Sequence, residues 1–135
     1  KLKVYDITSF FAARLSRLKI TQQSGNAAVV FPVCSVKKGG EAEKLNQIAQ
    51  ACLDNFKVPH EIACCGFAGD RGFTTPELTA SSLSTLKEFS RDCTAGYSSS
   101  RTCEIGLSRH SGLNFEHILA LLDECSVKAE ETYKN

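Results

Sequence analysis

A short apolar run, residues 27–33, constrains the fold of this chain more than any other feature of its sequence. Every residue in the run is apolar, so it shows neither the alternation of a half-buried strand nor the spacing of an amphipathic helix. Such a run is typical of a strand that is buried on both faces. Strands of that kind occur in parallel sheets that are covered by helices on both sides, and the run therefore predicts an α/β fold.

Helical segments and further short strands alternate along the rest of the chain. Apolar spacing and start signals, such as the Thr, Pro and Glu within residues 74–77, predict helices over residues 1–19, 39–56, 76–92, 101–112 and 115–125. Further strands are predicted at residues 60–63 and 95–98, with an antiparallel edge strand at 18–21 as an option. This alternation predicts a small, mostly parallel sheet of three to four strands flanked by helices. We expect one domain, residues 1–135, that ends in a polar tail at 128–135.

The charge and apolar patterns exclude two classes of function. The 16 Lys and Arg residues are nearly balanced by 15 Asp and Glu residues, which gives a net charge of +1. Without a basic stripe we expect no binding to nucleic acid. No apolar run approaches the roughly 20 residues that cross a bilayer, so we expect no transmembrane segment. Residues 1–17 also lack the pattern of a secretory signal, which favours a cytoplasmic location.

Cysteine is the unusual component of this sequence. The chain has seven cysteines, an odd number, and two of them, Cys64 and Cys65, are adjacent. Adjacent cysteines fit poorly into a simple disulfide framework, and a domain of this length does not need one. The pattern therefore favours a reducing compartment and a metal or redox role.

Four cysteines follow the predicted strands. Cys34 comes after the first strand, Cys64 and Cys65 come after the second, and Cys103 lies just beyond the third. Because the carboxyl ends of parallel strands meet at one edge of a sheet, we expect these four thiols to lie close together. Thiolates select iron–sulfur clusters, zinc or copper(I). The sequence therefore predicts a metal site at this edge, and the glycines at 66, 69 and 72 would let the backbone approach a bulky group.

The remaining candidates have weaker patterns. Cys52 and Cys125 lie on apolar helix faces and are interpreted as buried structural residues, as is Cys93, which keeps a reserve role as a nearby thiol. Asp70-Arg71 and Arg101 flank the cysteine loops, where they balance the charge of a cluster, meet a partner or form ordinary ion pairs. Three histidines are interpreted as surface or helix-flank residues and not as ligands: His60, His110 and His117.

The cysteine pattern resembles that of a known family. Cys34, followed by Cys64-Cys65-Gly66 and then Cys103, is similar to the cysteine-rich "CCG" domain of heterodisulfide reductase subunits and glycolate oxidase iron–sulfur subunits. More specifically, four segments are similar to the C-terminal end of fused FAD-linked D-lactate dehydrogenases: PVCS (32–35), CCGFAGDRGF (64–73), PELT (76–79) and SSSRTCEIG (98–106). The similarity extends over most of the chain.

The resemblance implies a parent flavoenzyme that oxidises a 2-hydroxy acid, D-lactate, with an FAD domain upstream of this chain. Electrons would pass through iron–sulfur centres to a quinone or cytochrome, in the cytoplasm or at the inner face of the cytoplasmic membrane. This domain would relay electrons or dock the acceptor and would be inactive alone. The family pattern ends in a fifth cysteine where this chain has Gly106. Four thiolates still suffice for a cubane 4Fe–4S cluster or for zinc.

Two other interpretations of the cysteines stay open. In one, the domain binds zinc or no metal and serves as a structural or docking module of the same complex, without a redox role. In the other, Cys64 or Cys65 forms a dithiol/disulfide couple with Cys103.

Overall fold

The sheet predicted from the sequence is present and entirely parallel. A computed structural model describes residues 1–127 and contains a four-stranded sheet of order β2-β1-β3-β4. The strands are β1 (Ala27–Phe31), β2 (Phe56–Lys57), β3 (Cys93–Ser98) and β4 (Phe115–His117). The predicted fold class, a small α/β fold with helices on both faces, is confirmed.

Short helices connect and cover these strands. They are α1 (Ile7–Ala12), α2 (Cys34–Lys38), α3 (Ala42–Cys52), α4 (Arg71–Thr74), α5 (Pro76–Ser82), α6 (Leu86–Phe89), α7 (Arg101–Ser111) and α8 (Ile118–Cys125), with a 3₁₀ turn at Leu15–Arg17. Within residues 1–127, none of these helices has the length and apolar character needed to cross a membrane.

Strand β1 lies in the centre of the sheet and separates two cores. All five of its residues are buried, as the apolar run predicts. Val29 and Phe31 face a core formed with the α5–α7 side, which includes Phe67. Ala28 and Val30 face a second core that is built mainly from α3 and α8. Both faces of the sheet are therefore covered, which is the arrangement that parallel strands require.

The predicted strand at residues 60–63 is wrong. The second strand lies earlier, where Phe56 and Lys57 pair with Ala28 and Val29, and residues 60–63 form a turn and loop. Helix α3 ends at Cys52, four residues before the predicted end, because the chain turns there and Gln22 caps it: Gln22 Nε2 donates to Gln50 O (2.9 Å) and to Leu53 O (3.0 Å). Because a polar turn follows α3 directly, the chain enters the sheet at residue 56, before the predicted strand at 60–63.

Several predicted helices are shorter than expected. The helix predicted at 1–19 is reduced to α1 and a 3₁₀ turn. Asp6 sets the start of α1, because its side chain accepts hydrogen bonds from the backbone N–H groups of Thr8 and Ser9. The segment at 39–56 contains one shorter helix, α3, which a separate helix, α2, precedes. The segment at 76–92 is divided by a turn into α5 and α6. The optional strand at 18–21 is a single antiparallel bridge between Ile20 and Ser126.

The last predicted helix, residues 115–125, contains a strand instead of a first turn. Residues 115–117 form β4, and α8 begins at Ile118, where His117 Nδ1 accepts a hydrogen bond of 3.2 Å from Leu119 N. Phe115 packs its ring against Gly96 of β3, where a Cβ atom would lie only 2.5 Å from the ring. The close β3–β4 approach therefore depends on a glycine. The predicted polar tail, 128–135, lies outside the described residues.

Candidate thiol site

Three connections at the carboxyl ends of the strands carry four cysteines. Cys34 is the first residue of α2, directly after β1, and Cys64 and Cys65 lie on the loop between β2 and α4. Cys103 is in the first turn of α7, after β3. Because β1, β2 and β3 are parallel, these connections leave the sheet at the same edge. The misplacement of the second strand does not change this result.

Cys65 and Cys103 form the inner pair of the site. Both are buried and free, and Cys65 donates a hydrogen bond to Cys103 across an Sγ–Sγ distance of 2.9 Å. That bond raises the pKa of Cys65 and lowers the pKa of Cys103, while burial raises both. A hydrogen bond from Ser100 acts with it to lower the pKa of Cys103. Cys103 is therefore the more acidic thiol of the inner pair.

Cys34 and Cys64 form the outer pair and are partly exposed. The pKa of Cys34 is raised first by burial, then by the charge of Cys64 and a hydrogen bond with it, and then by the charge of Cys65. The charges of Cys34 and Cys64 also act on the pKa of Cys103. Gly66 N donates to Cys64 Sγ at 3.4 Å. The four thiols thus form one electrostatically connected group.

The group is arranged as two pairs. Among residues 1–127, no three His, Cys, Asp or Glu side chains are placed so that they would hold one metal ion as they stand. The donor chemistry, four soft thiols from three loops, fits an iron–sulfur cluster or zinc. Binding by all four sulfurs therefore requires the two pairs to rearrange.

The glycine-rich segment after Cys65 forms a tight reversal. Gly66, Ala68 and Gly69 all have positive φ angles, of 70°, 49° and 71°. A Cβ atom at Gly66 would lie 2.5 Å from Ser82 Oγ and 2.7 Å from Leu78 O. The close approach that Gly66 permits is therefore to helix α5. This contact fixes the loop that carries the two adjacent cysteines.

Gly106 lies one turn after Cys103, at the position of the fifth cysteine in the family pattern. A Cβ atom there would lie 2.9 Å from Thr79 Cγ2 and 3.1 Å from Phe67 Cδ2. Phe67 and Thr79 therefore fill the space that a side chain at position 106 needs. The departure from the family pattern is matched by the packing around it.

Two basic residues near the site have defined partners. Arg101 forms an ion pair with Glu104, with 3.2 Å between Nη1 and Oε2, so the ion-pair reading of this residue applies. Lys37 Nζ donates to Ile62 O at 2.8 Å and to Ala63 O at 3.4 Å, next to the adjacent cysteines. Sequence reasoning missed Lys37. Its position three residues after Cys34, on the same helix, was the available signal.

The other cysteines lie elsewhere in the fold. Cys52 and Cys125 are buried in the core of α3 and α8, where Cys125 Sγ donates to Cys52 O at 3.7 Å. Burial raises the pKa of Cys52 to about 12. Cys93 begins β3 and so lies at the amino-terminal edge of the sheet, opposite the thiol site. His117 caps α8, in agreement with its interpretation as a helix-flank residue.

Comparison with known proteins adds no relative to this description. No protein family model matches the chain, and no curated protein or solved structure matches it either.

Proposed function

We propose that this domain transfers electrons through an iron–sulfur cluster that is held by Cys34, Cys64, Cys65 and Cys103. The observation that carries the proposal is the placement of these four cysteines on three connections that leave the sheet at the same edge, with Cys65 Sγ and Cys103 Sγ 2.9 Å apart. Thiolate ligands are the donors that iron–sulfur clusters use, and a bound cluster would supply one-electron redox chemistry.

The two thiol pairs have different exposure, which supports different roles for them. The inner pair is buried, so it would anchor the cluster and exclude water from that side. The outer pair is partly exposed, so it would lie closest to a donor or acceptor docked on the surface. Hydrogen bonds such as that from Gly66 N to Cys64 Sγ would stabilise negative charge on sulfur.

The parent activity in this proposal rests on the resemblance of residues 64–73 and 98–106 to FAD-linked D-lactate dehydrogenases. The domain would receive electrons from the FAD domain of such an enzyme and pass them to a quinone or cytochrome. The location would be cytoplasmic or at the inner face of the cytoplasmic membrane. The cluster would have to be one that four thiolates hold, because Gly106 leaves no fifth.

Anaerobic reconstitution with iron and sulfide tests the proposal. We expect a brown protein with charge-transfer absorption that bleaches on reduction and with about four irons per chain for a cubane cluster. Cys93→Ser, at the opposite edge, is the matched control and should load as the unsubstituted chain does. A colourless protein with four freely titrating thiols would contradict the proposal. One zinc and no iron would instead support the structural or docking module.

A dithiol/disulfide couple at the inner pair is the second candidate, favoured by the 2.9 Å between Cys65 Sγ and Cys103 Sγ. An S–S bond would form as two S–H bonds break, with two protons released to solvent and two electrons passed to a flavin or a small disulfide. Treatment of the metal-free chain with glutathione disulfide should lower its mass by two hydrogens, and Cys103→Ser should prevent this. A mass that does not change would exclude the couple.

A further inference from the structure

Lys37 connects helix α2 to the loop that carries the two adjacent cysteines. Its Nζ donates hydrogen bonds to Ile62 O (2.8 Å) and Ala63 O (3.4 Å). Ala63 directly precedes Cys64, and Lys37 lies about one helical turn after Cys34. A single side chain therefore joins the two elements that carry the outer pair.

The ammonium group of Lys37 is also held in a defined electrostatic environment. It lies 5.3 Å from the centroid of the Phe31 ring, which is fully buried at the end of β1, and this distance allows a cation–π interaction. Burial lowers the pKa of Lys37, and negative charge on Cys64 and Cys34 acts in the opposite direction. The positive charge is thus partly shielded from water, and it lies 3.4 Å from the carbonyl oxygen of Ala63, the residue directly before Cys64.

We propose that Lys37 is the positioning residue of the thiol site. It holds the loop of Cys64 and Cys65 against α2, and it supplies the positive charge that stabilises anionic sulfur on the outer pair. The electrostatic half of this inference rests on the proposed function, because it assumes that the four cysteines become thiolates when they bind a cluster. Its geometric half, the link between α2 and the loop, stands without any bound metal.

This placement has a consequence for a site of four thiolates, which repel one another when they are gathered in a partly buried position. A cation held between two of the contributing elements offsets that repulsion. It also favours the more negative, reduced state of a bound cluster. Loss of the charge should therefore lower both the attraction of anions to the outer pair and the reduction potential.

Two alkylating reagents of different charge test the proposal on the metal-free, reduced chain. The rate of reaction with anionic iodoacetate is divided by the rate with neutral iodoacetamide at one pH, for Cys34 and for Cys64 separately, by peptide mass. Lys37→Met should lower this ratio about threefold, because the local positive charge is gone. Lys37→Arg should keep it. Lys38→Met, which removes an exposed charge from the same helix, should change it little.

The control is free glutathione in the same solution, whose ratio should be the same with all variants because it has no contact with residue 37. Circular dichroism and thermal melting establish that each variant is folded. Should Lys37→Met fail to fold, Lys37→Gln, which keeps a donor for the two carbonyl groups, carries the same comparison.

The reconstituted protein provides the second measurement. A folded Lys37→Met chain should bind the cluster with a more negative midpoint potential than the unsubstituted chain, and Lys37→Arg should restore the potential. Unchanged alkylation ratios in folded Lys37→Met would overturn the role of Lys37 while the cluster proposal stands. Failure of every chain to bind iron would overturn the cluster proposal, and the alkylation ratios would still decide the role of Lys37.

Discussion

The inner pair, Cys65 and Cys103, and the pair formed by Cys52 and Cys125 are both buried, but they lie on opposite faces of the sheet. The inner pair comes from the loop after β2 and from the first turn of α7, at the carboxyl edge of the sheet, and the charges of Cys34 and Cys64 act on the pKa of Cys103. The other pair lies between the ends of α3 and α8, where Cys125 donates to the backbone carbonyl of Cys52. Burial alone therefore does not separate the thiols that we propose as ligands from those that pack in the helical core. The element that carries the thiol, and the charges around it, make the difference.

The largest expected effect of this difference is on metal uptake. Cys65→Ser should abolish iron binding, because it removes one of four sulfur ligands, whereas Cys52→Ser should leave binding intact. Iron content and the charge-transfer absorption after reconstitution measure both. Equal loss of iron in the two variants would contradict the distinction between the pairs.

The second effect concerns the room around the site. Gly106→Cys should destabilise the fold by about 1–3 kcal/mol, because the new side chain overlaps Thr79 and Phe67. Urea unfolding measures the change. Adding Thr79→Ser, which removes the overlapping methyl group, should recover part of the loss. A stable single variant would show that this edge of the site accepts a fifth thiol without repacking.

The third effect is a loss of folding stability that leaves iron binding at the thiol site unchanged. Cys125→Ser should lower the free energy of unfolding by about 1–2 kcal/mol, since it places a hydroxyl group in an apolar core. Iron binding should be unchanged at temperatures where the variant is folded. Chemical denaturation and iron analysis on one sample check both halves of this statement.

The last effect, which is absent at neutral pH, is on the pH dependence of stability. The pKa of Cys52 is raised from 9.0 to about 12 in the folded chain, so the unfolded chain loses this proton first as the pH rises. The contribution of Cys52 is therefore fully present below pH 9 and declines between about pH 9 and 12. Cys52→Ala should make the unfolding free energy fall less steeply over that window. Identical slopes for the two chains would show that Cys52 is not protected from ionisation.

The sequence was informative where a feature depended on local pattern and less so where it depended on a distant partner. The run at 27–33 predicted the central strand because a strand buried on both faces is apolar throughout. Strand β2 was misplaced because its position is fixed by pairing with Ala28 and Val29, which no local pattern records. Strand β4 is too short to show a period of its own, and its Phe115 also fits the helical spacing of α8.

The candidate site was predictable for a topological reason. Any cysteine just beyond a parallel strand lies at the same sheet edge, so an error of a few residues in the second strand did not move Cys64 away from Cys34. The sequence left open whether Cys64 or Cys65 pairs with Cys103, because the choice depends on the backbone reversal at Gly66, Ala68 and Gly69. The hydrogen bonds of Lys37 depend on the conformation of the 60–63 loop, which was predicted as a strand.

Residues 19–21 and residues 125–127 are hydrogen-bonded to each other, so the chain between them forms a closed loop. Thr21 N donates to Cys125 O and Val127 N donates to Lys19 O, each at 2.8 Å. A mechanical load applied between Lys19 and Val127 would first be borne by these bonds and by the bridge of Ile20 with Ser126. The strands and the cysteine loops all lie in the sequence between these two hydrogen-bonded segments. A force applied through the neighbouring segments would therefore not reach the strands or the cysteine loops until these hydrogen bonds break.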